Sequence, residues 1–357
     1  MEYVEKPRKI QIELSSMCNA LCLGCVRTDS RNFNHSKEMI PKKQMVSVDT
    51  FVKLLSSDQM QDVIILEFCG TIDEPLMHPE FLTMLEEAYK INPWYTIHIH
   101  TNAGIRPESD YKKLAEILQK FKSPHMTLFS IDGVGSSHSV YRQKTDYNKI
   151  IANAKAYIQA GGYSVWQFLI FPWNKHEIND AKRISTELGF NEFHSRHDRS
   201  IVTGLGLEKI NQRKAENKCG PASYSGSVND LIDSYAPLND IDIACNNQEY
   251  GMYFLSYDSR LWPCCFIPNG FLQLQQEKVD FLTQRLYSIY GDDFNDLTKK
   301  TVAEILDNDF YKNDLVESWN HPVGTGPCGK ITRCAETCNV KKLKALPIGS
   351  PKVLVKQ

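Results

Sequence analysis

The stretch Cys18-Asn-Ala-Leu-Cys22-Leu-Gly-Cys25 decides how the rest of the chain is read. It follows Lys9-Ile-Gln-Ile-Glu-Leu14, whose alternation predicts a β-strand, so the thiols fall in a loop at a strand's end. Three thiolates spaced C-x3-C-x2-C can hold three corners of one iron–sulfide cube, because soft thiolate is the ligand such metal prefers. A closed structural site wants four ligands. Three ligands leave one metal corner open, and an open corner is where chemistry happens. The competing readings are scattered buried thiols or a zinc site, which ordinarily shows a matching second Cys pair.

The totals bound the classes. With 357 residues the chain is long enough for about two domains, or one barrel with an addition. Hydrophobic residues at 42% and charged residues at 24% fit a globular protein with a full core. The net charge of −2 gives no pull toward nucleic acid or anionic membrane. The N-terminal Met1-Glu-Tyr-Val-Glu-Lys lacks an apolar h-region, so no secretory leader is expected. The longest apolar runs, such as Val63-Ile-Ile-Leu66, are too short to span a bilayer. Eleven cysteines are the anomaly. In a long chain with no leader they point to metal or catalysis rather than disulfides.

Beyond the cysteine loop, strands and helices alternate. Ser47 caps a predicted helix running on from Val48. Strands are predicted at Val63–Phe68, Tyr95–Ala103, His125–Gly133, Val165–Phe171 and Asn191–Arg199. Helices are predicted at Pro79–Ile91, Asp110–Lys120 and Tyr147–Gly161, and Pro172-Trp-Asn174-Lys-His-Glu177 opens another that runs through Leu188-Gly189. Val165 to Phe171 is nearly all apolar, as a parallel strand covered on both faces should be. Six strand–helix units over 8–200 imply a parallel sheet with helices outside, short of the eight units of a closed barrel. His98 and His100 share one strand face, as metal ligands or as barrel-lining residues.

The cysteine triplet after a first strand resembles the radical S-adenosylmethionine (radical SAM) superfamily. The resemblance implies that Cys18, Cys22 and Cys25 hold a [4Fe-4S] cluster whose open iron binds S-adenosyl-L-methionine. It also implies that an electron from the cluster cleaves SAM to a 5′-deoxyadenosyl radical, which abstracts a hydrogen atom from a substrate. The implied fold is α/β, a partial (β/α)6 TIM-type barrel with its active site at the strands' C-terminal ends, plus a small C-terminal α+β cysteine-rich auxiliary domain. Cys69-Gly-Thr-Ile-Asp-Glu74-Pro75 resembles the family's Gly-Gly-Glu-Pro segment, and the resemblance puts Gly70, Asp73 and Glu74 at the SAM amino group. An ammonium donor wants a carboxylate and close backbone, which glycine permits. Here Cys69 stands where glycine is usual. Thr101-Asn-Ala103 resembles Thr-Asn-Gly with Ala103 for glycine. By the same resemblance Ser130, then Asp132, is the candidate for the SAM ribose, and Arg196 for the SAM carboxylate. Arg142 is read as a carboxylate neutraliser or a structural ion pair, and Asn174 and Glu177 as a helix start. Position 24 is often aromatic in the family and packs near adenine, whereas here it is Gly24, so adenine needs apolar cover elsewhere.

A second cysteine group follows. Cys245, the alternating Tyr250–Tyr257, a turn at Asp258-Ser-Arg and Leu261-Trp-Pro-Cys264-Cys265 read as a β-hairpin with thiols at its base. This resembles the auxiliary domain called SPASM, or its shorter form, twitch, with Ser259 where the hairpin turn usually has glycine. Phe294 to Leu306 is predicted helical. Cys328-x5-Cys334-x3-Cys338 matches the tail of the full SPASM motif, whose first cysteine would fall at Thr325. Two auxiliary clusters would need about eight ligands, and only six cysteines stand from 245 onward. The resemblance therefore implies one auxiliary [4Fe-4S] cluster, with Cys245, Cys264 and Cys338 as ligands and Cys334 or Cys328 as the fourth. Zinc held by the same thiols is the alternative, and Cys265 and Cys219 are outsiders.

The expected division is a core over 1–204, a linker over 205–240, the auxiliary domain over 241–345 and a tail over 346–357. The expected activity is hydrogen-atom abstraction from a peptide, protein or natural-product intermediate in a reducing cytoplasm, with flavodoxin or ferredoxin as reductant. The alternatives are a non-catalytic iron–sulfur, zinc-binding or electron-transfer protein on the same fold, and an activase that makes a glycyl radical on a partner.

Overall fold

A computed structural model describes residues 3–4, 6–23, 25, 43–68, 72–197, 236–268, 285–324 and 329–338. Cys69, Gly70, Cys219, Thr325, Cys328 and Gly24 lie outside the described residues, as does most of the expected linker.

Ten strands are described: β1 (Lys9–Ile12), β2 (Leu21–Cys22), β3 (Ile65–Phe68), β4 (Thr96–Thr101), β5 (His125–Ser130), β6 (Arg142–Gln143), β7 (Ser164–Ile170), β8 (Glu192–His197), β9 (Met252–Leu255) and β10 (Leu261–Trp262). Eight form one sheet in the order β10-β9-β1-β3-β4-β5-β7-β8, and β2 pairs with β6. Neighbours from β1 to β8 in that sheet are parallel. Between them run α1 (Val48–Leu55), α2 (Phe81–Ile91), α3 (Glu108–Leu118), α4 (His138–Tyr141), α5 (Tyr147–Gln159) and α6 (Ile178–Leu188). The C-terminal part adds α7 (Asn246–Glu249), α8 (Val302–Leu306) and α9 (Thr332–Thr337). This is the expected α/β architecture of a partial parallel barrel.

The sheet separates two environments because successive side chains point to opposite faces. Ile10, Ile12, Leu66, Phe68, Ile97, Ile99, Phe129, Trp166 and Phe168 are buried against the helices. Phe68 meets Phe81 of α2 edge-on at 5.2 Å, and Phe129 meets Tyr157 of α5 at 5.5 Å. The opposite face is polar. Glu67 pairs with Lys9 at 2.5 Å and with His100 at 3.4 Å, and these partners hold its carboxyl low, at about 2, although burial opposes ionisation. His98 beside them is kept neutral by burial, its pKa pushed down to about 4. The two histidines thus belong to the barrel lining. Among the described residues, no three His, Cys, Asp or Glu groups are gathered at the distances of a single bound ion.

Two expectations change. The hairpin β9–β10 is part of the main sheet: β9 runs parallel to β1, pairing Lys9 with Met252 through Ile12 with Leu255. Edge pairing satisfies the backbone of both strands, which a free hairpin would leave open. The predicted helix from Phe294 begins only at Val302. Thr301 and Glu304 form a reciprocal capping box there, and Asp296 Oδ1 accepts from the Thr298 N–H and hydroxyl, which holds the preceding residues in turns. The Ser47 cap on α1 is as expected, with its hydroxyl accepting from Thr50 N–H.

No helix of the described residues is long and apolar enough to cross a membrane.

Candidate active site and auxiliary cysteine pocket

The loop carrying Cys18, Cys22 and Cys25 leaves the C-terminal end of β1 and is latched at both ends. Asp73 Oδ2 accepts from the backbone N–H groups of Leu14 (2.9 Å) and Ser15 (3.3 Å), and Glu74 N–H donates to Met17 O at 2.8 Å. Glu13 Oε1 accepts from Ile72 N–H at 2.8 Å. Farther on, β2 places Cys22 opposite Arg142 of β6. Cys25 N–H returns to Cys22 O at 3.1 Å, which closes the turn.

Each of two sulfurs has a named donor. Asn102 Nδ2 lies 3.7 Å from Cys18 Sγ, and Arg142 Nη1 lies 3.8 Å from Cys22 Sγ. Arg142 is itself anchored, its Nε donating to Asp132 Oδ2 at 2.6 Å. Asp132 has a side chain only 1% exposed and also accepts from Leu169 N–H at 2.7 Å. Asn174 is wholly buried and donates to the carbonyls of Asp132 and Leu169, so it ties the ends of β5 and β7 together. Its part is a structural clamp. Glu177 likewise accepts from the Ser137 hydroxyl and Val134 N–H.

Burial pushes the Cys22 thiol up to about 11, although the Arg142 guanidinium opposes the shift. Burial and then the Glu74 carboxylate push Cys18 upward. A bare thiolate is therefore disfavoured here, and a bound cation would remove the penalty, since a coordinating thiol is deprotonated outright. Three soft donors in one loop, with polar groups turned to the sulfurs, fit an iron–sulfur group.

The other predicted residues lie around this loop. Glu74 is 2% exposed, with Oε1 accepting from the Thr101 hydroxyl (2.6 Å) and Leu76 N–H (3.4 Å) and Oε2 from Asn102 N–H (2.6 Å). Burial pushes its carboxyl up to about 7 against the pull of these donors. Glu74 thus also caps the turn Pro75–Met77. Asp73 Oδ1 is buried without a partner, and burial together with Glu13 and Glu74 raises this carboxyl. Ser130 is buried at the end of β5. Arg196 is exposed on β8, opposite Leu169 of β7, and its charge is felt at Asp132.

One feature without a motif is an aromatic stack beside the loop. Phe171 lies parallel to Trp173 at 4.3 Å and meets Tyr141 at 4.5 Å, while Leu23 N–H donates to Tyr141 O. The Trp173 indole N–H is buried without a partner among the described residues. The sequence signal was only the absence at Gly24 and the aromatic end of β7.

The second group converges on one pocket, lined by Cys245, Cys264, Cys334 and Cys338. Cys245 precedes α7, Cys264 follows β10, and Cys334 and Cys338 stand four residues apart at α9, hence on one face. Ala244 N–H donates to Cys338 O at 2.9 Å, which closes the pocket. The Cys338 thiol donates to Cys245, which lowers Cys245 and raises Cys338, and burial raises Cys264 to about 12. Four thiols around one buried space are a complete soft donor set for a cluster. Cys265 is partly exposed and does not line this cavity.

No family profile matches the chain. It is 24% identical to a cysteine-type anaerobic sulfatase-maturating enzyme of Clostridium novyi, over 94% of this chain and 88% of that one. It is also 24% identical to a tungsten-containing aldehyde ferredoxin oxidoreductase cofactor-modifying protein of Pyrococcus furiosus, over 37% of this chain and only 32% of that protein. Among solved structures, SuiB of Streptococcus suis superposes with a TM-score of 0.54 at 15% identity, covering 88% of this chain and 68% of SuiB. The chain is thus similar in sequence to a sulfatase-maturating enzyme and in fold to SuiB, in line with the resemblance drawn from the motifs.

Proposed function

We propose that the chain is a radical SAM enzyme that abstracts a hydrogen atom from a peptide, protein or natural-product intermediate. The observation that carries this reading is a latched three-cysteine loop at the C-terminal ends of a parallel sheet, with a four-cysteine pocket elsewhere in the same chain. The bound groups supply reductive cleavage of SAM followed by hydrogen-atom abstraction. Everything else falls to the chain's own side chains.

Cys18, Cys22 and Cys25 hold the first cluster. Asn102 and Arg142 direct N–H groups at the Cys18 and Cys22 sulfurs and offset their negative charge. Asp73 and Glu74, with Gly70 as the further candidate, would hold the SAM amino group, and an ammonium there would relieve the raised pKa of both carboxyls. Ser130 is assigned to the ribose and Arg196 to the carboxylate of SAM. Tyr141, Phe171 and Trp173 give adenine the aromatic cover that Gly24 cannot, and they keep water from the site. Cys245, Cys264, Cys334 and Cys338 hold one auxiliary cluster, with Cys328 the remaining candidate. The division into core (1–204), linker (205–240), auxiliary domain (241–345) and tail (346–357) is kept, although the auxiliary hairpin shares the core sheet.

A protein or peptide substrate is favoured by the near full-length match to an enzyme that matures sulfatases. A flavodoxin or ferredoxin supplies the electron, and a reducing cytoplasm suits the clusters.

The test is anaerobic iron reconstitution of the wild type and of a Cys18/Cys22/Cys25→Ala variant, with 5′-deoxyadenosine assayed after dithionite and SAM. The expected result is about twice as much iron in the wild type, in line with two clusters of one type, and product only there. A wild type that binds zinc or no iron and leaves SAM intact sinks the proposal.

A further inference from the structure

The auxiliary pocket is walled mostly by apolar side chains, and besides Arg333, whose charge is felt at Cys264, two aromatic side chains bring a donor to it, Tyr3 and Trp319. Tyr3 is 2% exposed; its hydroxyl donates to Pro263 O at 2.9 Å and lies 3.6 Å from Cys245 Sγ. Its ring packs edge-on against Tyr253 at 5.9 Å, and its N–H donates to Tyr311 O at 2.9 Å, so residue and ring are both held. Trp319 lines the same cavity. Its indole N–H is buried and makes no hydrogen bond of ordinary geometry among the described residues, but it lies near enough to Cys334 to favour that thiolate. A buried indole N–H without an acceptor is costly and asks for an explanation.

We propose that Tyr3 and Trp319 are positioning residues of the auxiliary centre, donating O–H···S and N–H···S hydrogen bonds to Cys245 and Cys334 and thereby raising its reduction potential. The inference rests on the reading of these cysteines as cluster ligands. The tyrosine hydroxyl has one proton to give. While Cys245 is a thiol, the sulfur can donate to the tyrosine oxygen and the hydroxyl proton goes to Pro263 O. When Cys245 ligates iron its proton is gone, and the hydroxyl rotates toward the sulfur. The indole N–H acquires its acceptor in the same event. Reduction adds negative charge to the cluster and its sulfurs, so both donors bind the reduced state more strongly, and cluster potentials respond to such hydrogen bonds.

The experiment is a redox titration followed by electron paramagnetic resonance on the reconstituted full chain, in wild type, Tyr3→Phe, Trp319→Phe and Tyr311→Phe. It is repeated in the Cys18/Cys22/Cys25→Ala background, so that the auxiliary centre is read alone. Tyr311 is a control, because its buried hydroxyl donates to Leu261 O. Expected is a lower auxiliary potential in Tyr3→Phe and in Trp319→Phe, with the ratio of reduced to oxidised centre at fixed poise falling about tenfold, equivalent to about 59 mV for a one-electron couple. The first centre and Tyr311→Phe should not move. Two centres in the wild type with unmoved potentials in both variants overturn this inference alone. Loss of auxiliary iron in Tyr3→Phe assigns the hydroxyl to closing the pocket and also overturns it. A wild type with one centre overturns the ligand reading and this inference together.

Discussion

Around Cys18, Cys22 and Cys25 the neighbours are polar and ionisable: Asn102, the Arg142–Asp132 pair and Glu74. Around Cys245, Cys264, Cys334 and Cys338 the wall is largely apolar, with Tyr3, Trp319 and Arg333 as the polar exceptions. The first set comes from one short loop and is held by backbone hydrogen bonds to the segment after β3. The second comes from three separate segments and exists only because α7, β10 and α9 pack together. A site that must admit a charged cofactor needs compensating charge at hand. A site filled permanently by its own metal needs only enclosure.

The most forceful way to break this comparison is Arg142→Ala. It strands Asp132 as a buried, unpaired carboxylate and takes a donor from Cys22. Loss of one partner of a buried pair costs about 3–5 kcal/mol. The expected outcome in chemical denaturation is a loss of that size, with iron lost from the three-cysteine loop and kept in the four-cysteine pocket. Equal iron loss from both would show that the two regions are not independent.

Proton linkage sharpens the contrast next. Glu74 has its carboxyl raised from 4.5 to about 7, chiefly by burial. A raised pKa means that the protonated form is favoured by folding. Its contribution is fully present below about pH 4.5 and is lost as pH rises through about 7, a change on the order of 3 kcal/mol. Stability of the apoprotein measured between pH 4.5 and 8 should fall across that window relative to Glu74→Gln. Parallel curves for the two proteins would remove the electrostatic distinction between the sites.

The smallest effect compares two backbone positions, one per region. Ala103 has φ of +52° and Ser259 has φ of +63°, and both stand where the resembled family carries glycine. A left-handed non-glycine residue costs about 1–2 kcal/mol, of which glycine gives back about 0.4–1 through the unfolded chain's entropy. Ser259→Gly is expected to stabilise by about 0.5–1 kcal/mol. Ala103→Gly also gives up a buried methyl worth about 0.8 kcal/mol and should come out near zero. Urea midpoints read both, and a larger gain at 103 than at 259 would reverse the argument.

Much of this was legible in the residues. Short-range rules carry far along a chain: alternation marked β1, the apolar run marked β7, Ser47 marked the start of α1, and the spacing of Cys18, Cys22 and Cys25 put three thiols in one loop. Those features depend on neighbours a few residues away, so a linear text contains them. The donors to the sulfurs depend on neighbours far away. Tyr3 reaches Cys245, Asn102 reaches Cys18 and Arg142 reaches Cys22 only after parallel pairing and helix packing have set the register. The union of the auxiliary hairpin with β1 is of the same kind, because an edge strand accepts any partner that the connections allow to arrive. By itself the sequence determined the parallel β–α alternation and which thiols were available. Tertiary structure brought Cys245, Cys264, Cys334 and Cys338 to one pocket and decided which side chains face them, because those contacts are made by packing between segments distant in the chain, and such packing leaves no periodic mark.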